Sequence, residues 1–548
     1  MARGCYWKAW MALFMVAVLL VGCVSGGGGE PSLPRKDPYT ASGRVVDGES
    51  KGIPGVLIYY GDTGTVVESD SDGYWVITNL TDTVVVTPIK EGLVFYPSST
   101  TVSKETPSAT FTGYRRVNIQ ETIDLAHDGD VIVIPPDIYH ENIDFKGKSI
   151  TITSVNPLDS DIVAATIIDG SQKRAPVVTF AGGETSEAAL IGVTIRGGSG
   201  RYLESAYCGG GLYIRDASPI ISRNVITGNS ADRGSAIFVM GSSAAPEILD
   251  NIISNNAGKG GVITYTNPNY SDNHLVVRLL NNKILDNESF AIIASSFQQL
   301  TVIGNEIRRN DGGLCYSASE PESAIVEGNI FSDQSGVAIT LATSTEPRTY
   351  RSIAGFIKGN AFERNHAGAI DLGMSGKVNV VIEDNTFISN VLTANYWTQG
   401  GAAIYYGGLG PSGNLKPSIV IRGNHFQENW STKAGALYLD MVRYIDTVIV
   451  EDNVFIGNEA EEDGGAVVIN AAAESLCILR NRFENNRALR GGGIAIFSRS
   501  SPMLKENEFV SNYASEQGGA IYVGYSSSFV GENTNYFEGN LPNDVFYD

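Results

Sequence analysis

A short phrase returns through most of this chain: Asn, any residue, Ile or Phe, two more residues, Asn. It is clearest at Asn360-Ala-Phe-Glu-Arg-Asn365, Asn385-Thr-Phe-Ile-Ser-Asn390 and Asn424-His-Phe-Gln-Glu-Asn429. It recurs at Asn453-Val-Phe-Ile-Gly-Asn458 and Asn507-Glu-Phe-Val-Ser-Asn512. Looser or Ile-centred copies begin at Asn224, Asn251, Asn282, Asn305, Asn329, Asn481 and Asn535. From Asn224 to Asn535 is 311 residues in 11 steps, about 28 per step. A fixed period in that range dictates a stacked repeat, because one unit cannot bury its apolar face alone.

Each rung carries two further runs. One is a glycine phrase, as in Gly518-Gly-Ala-Ile-Tyr-Val523, Gly491-Gly-Gly-Ile-Ala-Ile496 and Gly435-Ala-Leu-Tyr-Leu439. Alternation puts Ile521 and Val523 on one face and Tyr522 on the other. The aliphatic face is the core face, and the glycine supplies the positive φ of a tight corner. The other run, such as Thr447-Val-Ile-Val-Glu451, precedes the Asn phrase. Three short strands and three corners per rung over residues 117–548 give about 15 rungs and a rod near 70 Å long. The Ile or Phe of the phrase points inward. Its Asn suits a left-handed corner, and stacked amides can bond in a ladder. High hydrogen-bond density and no single central core are expected. Ile119, Ile123 and Ala126 have helical spacing and read as a short helix closing an open end. A leucine-rich repeat needs Leu at fixed sites; here those sites hold Ile, Val and Phe.

This order of cap, strands and Asn repeat resembles the right-handed parallel β-helix proteins of the pectin lyase-like superfamily. The resemblance covers about 117–548. It implies an all-β fold and, for many members, cleavage of polysaccharides by Asp clusters with calcium or Arg, or by paired carboxylates. Pro135 to Glu141 resembles the Gly-x-Tyr-x-Glu stretch of pectin methylesterases, with Asp137 in place of the Gly. The later catalytic stretches of that family do not appear, so Tyr139 and Glu141 read as structural. The carboxylate candidates are Asp371 and Asp440. Aligned rungs put Asp371 two rungs before Tyr438, and Asp440 two residues beyond it, a separation of about 12 Å. Glycosidase pairs stand at about 5.5 Å or 6.5–9.5 Å, so this spacing leans against catalysis. The five His residues and the Cys residues show no metal spacing. No metal or cofactor is expected, and His366 and His425 read as turn residues.

The outward site of the glycine phrase is often aromatic: Tyr213, Phe238, Tyr405, Tyr438 and Tyr522. The longest step between phrases, 39 residues from Asn385 to Asn424, carries Tyr396, Trp397 and Gly407-Gly-Leu-Gly-Pro-Ser-Gly413. Insertions in solenoids mark binding faces, and an exposed aromatic row can stack on sugar rings. Tyr396, Trp397, Tyr405, Tyr438 and Tyr522 are therefore the candidate ligand-binding residues. The competing reading is that like residues stack on neighbouring rungs to stabilise the sheet.

The N-terminus reads as an export signal over 1–22: Arg3 and Lys8, then an apolar run from Ala9 to Val21. Leu20-Val-Gly-Cys23 resembles the bacterial lipobox, which implies lipidation of Cys23. Val24, rather than Asp, points to an outer-membrane lipoprotein, periplasmic or surface-facing. Residues 23–38 are a Gly- and Pro-bearing tether. Residues 39–114 form a separate β-sandwich that resembles the carboxypeptidase regulatory-like (prealbumin-like) domain. The resemblance rests on Gly43-Arg-Val45, Gly55-Val56, Asp72-Gly-Tyr74 and Lys90-Glu-Gly-Leu-Val-Phe95, and it implies a spacer or interaction module. Asp70 and Asp72 lack the further ligands of a calcium loop and read as a turn. The net charge is −21, which disfavours nucleic acid and repels anionic polymers unless a local basic patch intervenes. The combined expectation is a lipid-anchored β-helix that binds polysaccharide or an envelope protein without catalysis. The alternative is a polysaccharide lyase or glycoside hydrolase.

Overall fold

The structure is a computed structural model. It describes residues 36–548 except 62–63, 268–274, 296, 298, 319–321, 344–351, 374–376, 394–399, 408–417, 441–446 and 472–475. Tyr396 and Trp397 lie outside the described residues, as do Cys23 and the whole 1–22 segment.

The chain divides into two units: 1–89 with 97–112, and 90–96 with 113–548. In the first, strand Tyr39–Val46 pairs antiparallel with Tyr74–Leu80 and parallel with Ser108–Arg115. A second sheet places Leu57–Tyr60 between Thr65–Glu68 and Val84–Ile89. Val45, Ile58, Trp75, Val86 and Phe111 fill the core. Asp70 closes its turn with its own backbone: its Oδ1 accepts from the amides of Asp72 at 2.9 Å and Tyr74 at 2.8 Å. The carboxylate is a turn element, as read from the sequence.

The second unit is an all-β parallel solenoid. The Asn phrases form one 15-stranded parallel sheet, the glycine phrases a second, and the third run a 14-stranded sheet. Three strands per rung and about 15 rungs agree with the sequence. The phrase residues face as alternation requires. Phe331, Phe362, Phe387, Phe426, Phe455, Phe483, Phe509 and Phe537 form one inward column, with ring centroids 4.6–5.2 Å apart and planes within 11°. Offset stacking of this kind adds to simple burial.

From Asn224 to Asn512 the two amide residues that bound each phrase are buried, and each position builds a ladder. Asn385 is representative. Its Oδ1 accepts from the Asn360 amide at 2.9 Å and from Asn360 Nδ2 at 3.0 Å. Its Nδ2 donates to Ile357 O at 2.8 Å and to Asn424 Oδ1 at 3.0 Å. One detail differs from the sequence reading. The left-handed residue is not the Asn but the one before it: Asp384 (φ 56°), Arg364 (φ 53°), Glu428 (φ 54°) and their equivalents. The corner thus exposes a tolerant polar residue, while the Asn turns inward to satisfy buried backbone groups. The glycine corner is as expected. Gly518 has φ 67°, and a Cβ there would lie 2.4 Å from Ile521 O.

The core is also more continuous than expected. One buried cluster runs from Ile119 to Val523, because each rung stacks its aliphatic residues on the next. Helix Ile119–Leu125 closes its first end with Ile119 and Ile123. Glu141 fixes that helix: its two carboxylate oxygens accept from the amides of Ile119 at 3.0 Å and Gln120 at 2.8 Å. These are helix-terminal donors without intrahelical partners. Tyr139 is buried and donates its hydroxyl to Pro135 O at 2.8 Å. Both residues are structural, as anticipated.

Candidate functional site

The outward positions of the glycine-phrase sheet stay in register from rung to rung. Cys315 stands beside Thr340, Thr340 beside Asp371, Asp371 beside Tyr405, and Tyr405 beside Tyr438. Val468 and Ala495 follow, then Tyr522 and Phe546. Toward the start, Tyr213 and Phe238 are separated from Cys315 by Thr264 and Ile293.

The aromatics therefore do not make a continuous exposed row. They fall into three pairs: Tyr213–Phe238, Tyr405–Tyr438 and Tyr522–Phe546, with ring centroids 6.0, 5.8 and 5.8 Å apart. Tyr438 is 6% exposed and Tyr522 4%. The cause is close packing along the outward face itself. Ala434, Val468, Ala495 and Phe497 close around Tyr438 and Tyr522. Arg490 lies over the rings of Phe497 and Tyr522 while gripping Asp463 through two bonds of 2.8 and 3.0 Å. Tyr405 is half-buried and stands at the margin of this packing.

Tyr405 sits in a slot lined by glycines. A Cβ on Gly407 would lie 2.0 Å from the Tyr405 hydroxyl, and one on Gly400 would lie 2.6 Å from the ring. Any larger residue at either position displaces the tyrosine. Asp371 shares the slot and accepts from the Gly373 amide at 2.7 Å. Burial raises its pKa, opposed only by that hydrogen bond. The Tyr405 hydroxyl is raised by burial and then by Asp440 and Asp371. Burial and Asp440 push Tyr406 up to about 12. The cleft bounded by Val337, Gly368, Asp371, Leu392, Gly401 and Tyr405 has a volume of about 20 Å³, room for one water.

Asp440 is not in that cleft. It lies two residues beyond Tyr438, and its Oδ1 accepts from Asn470 Nδ2 at 2.8 Å. The register gives the offset read from the sequence, two rungs and two residues from Asp371, or about 12 Å. The two carboxylates are thus not brought together, and each has its own donor. Among the described residues, no group of three or more His, Cys, Asp or Glu is placed to hold a metal ion. Nor is any described helix long and apolar enough to cross a membrane.

One exposed feature escaped the sequence reading. Residues 201–208 form a hairpin that lies outside the solenoid's three sheets. Its signal was present in the flanking glycine runs, Gly197-Gly-Ser-Gly200 and Gly209-Gly-Gly211. It precedes the first Asn phrase, and the repeat did not point to it.

No curated protein and no solved structure matches this chain. The family model described as "Right handed beta helix region" matches residues 180–354 and 349–541. With 180–541 covered, 362 of 548 residues, and with a parallel three-sheet solenoid beneath them, the chain belongs to the right-handed β-helix family.

Proposed function

We propose that the protein is a lipid-anchored component of the cell envelope that binds polysaccharide or another envelope component without catalysis. The observation that carries this reading is the outward column through Thr340, Asp371 and Tyr405. Register holds its side chains one rung apart, about 4.8 Å, so it offers a linear polymer a repeating edge. Asp371 and Asp440 are held apart and satisfied separately, an arrangement suited to contact more than to paired acid–base work. Tyr396 and Trp397, which precede Gly400 in sequence, are proposed as further ligand-binding residues. Leu20-Val-Gly-Cys23 is the proposed anchor. The 39–114 segment, with its resemblance to carboxypeptidase regulatory-like domains, is the proposed spacer.

Affinity electrophoresis of the full chain through gels containing neutral and acidic polysaccharides tests the binding. Retardation is expected, reduced about fivefold in affinity by Tyr405→Ala and by Trp397→Ala, since a stacked ring contributes on the order of 1 kcal/mol. Retardation unchanged in both variants rejects this face. Fractionation of cells carrying Cys23→Ser tests the anchor: the variant leaves the membrane fraction if Cys23 carries the lipid.

One observation favours a second reading, a polysaccharide lyase or glycoside hydrolase. Asp371 lies in a cleft with its pKa raised by burial, the environment that keeps a general acid protonated. Incubation with uronic-acid and neutral polysaccharides, followed for unsaturated or reducing ends, decides between the two. Product that disappears in Asp371→Asn replaces the binding reading with the enzymatic one.

A further inference from the structure

The 201–208 hairpin has two faces with different chemistry. Strands Arg201–Leu203 and Ala206–Cys208 pair antiparallel, with Tyr202 opposite Tyr207 and Leu203 opposite Ala206. Leu203, Ala206 and Cys208 pack down onto Tyr213 and Phe238. That apolar footing pushes the Cys208 thiol up to about 11. The opposite face carries the tyrosines. Tyr202 is 64% exposed, and the rings of Tyr202 and Tyr207 stand 5.1 Å apart, inclined at 57°.

The surroundings hold this face in place. Glu204 and Ser205 both have positive φ, 46° and 70°. A two-residue turn of that kind normally uses Asn and Gly, so the turn is strained by its own residues. The Tyr207 amide donates to Asp232 Oδ2 at 2.7 Å, and its carbonyl accepts from the Arg233 amide at 3.0 Å. Arg174, from the rung before, lays its guanidinium 3.9 Å from the centre of the Tyr207 ring. Three successive rungs therefore converge on one pair of tyrosines.

The charge here is out of character with the molecule. Elsewhere in the solenoid several arginines are held by carboxylates: Arg309 by Asp286, Arg364 by Asp333, Arg422 by Glu383, Arg480 by Asp452. Around the hairpin, Lys173, Arg174, Arg201, Arg215 and Arg233 are all exposed. Among the described residues none of them has a carboxylate within 4.0 Å, although Glu204 and Asp232 are near in sequence. In a chain of net charge −21, this is a patch where an anion can approach. A guanidinium stacked on an aromatic ring keeps its edge donors free for a carboxylate or phosphate. The adjoining exposed tyrosine offers a flat apolar face.

We propose that the Arg201–Cys208 hairpin, with Arg174, is a binding site for an anionic sugar, a saccharide ring bearing a carboxylate or a phosphate. The ring packs on Tyr202 and the anion meets Arg174. This extends the binding reading above, but at a different place on the rod and for a defined ligand chemistry.

Calorimetric titration of the full chain tests it with three probes: a glucuronic-acid oligosaccharide, the same oligosaccharide methyl-esterified, and glucose 6-phosphate. Wild type binds the first probe and binds the esterified one about tenfold more weakly, the loss expected for one charge-assisted contact. Tyr202→Ala and Arg174→Ala each weaken the acid by about tenfold, Arg174→Lys by less, and Tyr525→Ala, an exposed tyrosine outside both sites, not at all. Binding of glucose 6-phosphate with the same variant pattern assigns the site to anionic sugars at large; its absence restricts the site to carboxylates. Equal affinity for the acid in wild type and Arg174→Ala overturns the proposal, as does failure to bind either anionic probe. If Tyr405→Ala alone abolishes binding, the hairpin site falls while the Tyr405 face stands.

Discussion

At the scale of single residues, the two Asn ladders show how much one side chain organises. In the ladder from Asn224 to Asn535, every Nδ2 donates to the Oδ1 of the next rung. The second ladder, from Asn229 to Asn540, holds one glutamine. Gln334 keeps the backbone bonds: Oε1 accepts from the Asn310 amide at 3.1 Å, and Nε2 donates to Ile307 O at 2.6 Å. Its longer side chain shifts the amide plane. The Gln334 backbone amide still donates to Asn365 Oδ1 at 3.3 Å, but the two side-chain links, Asn310 Nδ2 to Gln334 Oε1 and Gln334 Nε2 to Asn365 Oδ1, made at all the other steps, are absent. Gln334→Asn restores both. Two neutral hydrogen bonds contribute about 0.5–1.5 kcal/mol each, against about 0.8 kcal/mol for the lost methylene. The net gain of about 1 kcal/mol should slow hydrogen exchange of the Asn310 and Gln334 amides about fivefold. Unchanged or faster exchange in the variant contradicts this account of the ladder. Asp371 yields a prediction of the opposite sign. Its folded pKa is raised above the ordinary 3.8 by burial. Stability is therefore greatest below that ordinary value and is lost as pH rises through the folded one. Asp371→Asn removes the effect, so the variant should melt above wild type at pH 7, with the gap closing below about pH 4. A gap that persists unchanged at low pH means that burial of the carboxylate is not its source.

At the scale of elements, what the sequence made legible was whatever recurs. The period placed the rungs, and alternation sent Phe362 and Phe387 inward and Tyr405 outward, as the stacked column and the register confirm. The offset between Asp371 and Asp440 could be read because register carries over from rung to rung. What stayed illegible was whether an outward residue is exposed. Alternation is defined relative to one sheet and is silent about what covers that sheet. Here part of the cover comes from a fourth sheet of five short strands, Val391–Leu392, Trp430–Ser431, Glu459–Ala460, Arg487–Arg490 and Tyr513–Gln517, whose Arg490 lies over the Tyr522 ring. Strands of two to five residues are too short to show a period of their own. Tyr438 and Tyr522 therefore read as a binding surface in the sequence and are packing in the fold. The hairpin was hidden for the converse reason. It occurs once, and a reading built on repetition passes over it.

At the scale of the whole solenoid, stability is a sum over neighbouring rungs, so its ends differ from its middle. Every interior strand pairs on both sides, but the first strands, Val131–Ile134, Asp137–Tyr139 and Ile143–Asp144, end their sheets. Such edges pair with other chains unless covered. The cover is helix Ile119–Leu125, held by the Asn118 side chain accepting from the Glu121 amide at 3.0 Å and by Glu141 at its first turn. Its apolar contribution comes from Ile119 and Ile123, both fully buried against the first rung. Burying two such side chains stabilises the cap by roughly 3–6 kcal/mol, more than a seven-residue helix can supply by itself. The double substitution Ile119→Asp, Ile123→Asp should undock the helix and leave the distant rungs intact, since their neighbours are unchanged. The expected outcome is a far-ultraviolet β signal close to wild type, together with self-association that grows with concentration in light scattering. A variant that stays monomeric with its β signal intact would show that the first rung closes its own edge, and that the helix is an ornament on the rod and not its cap.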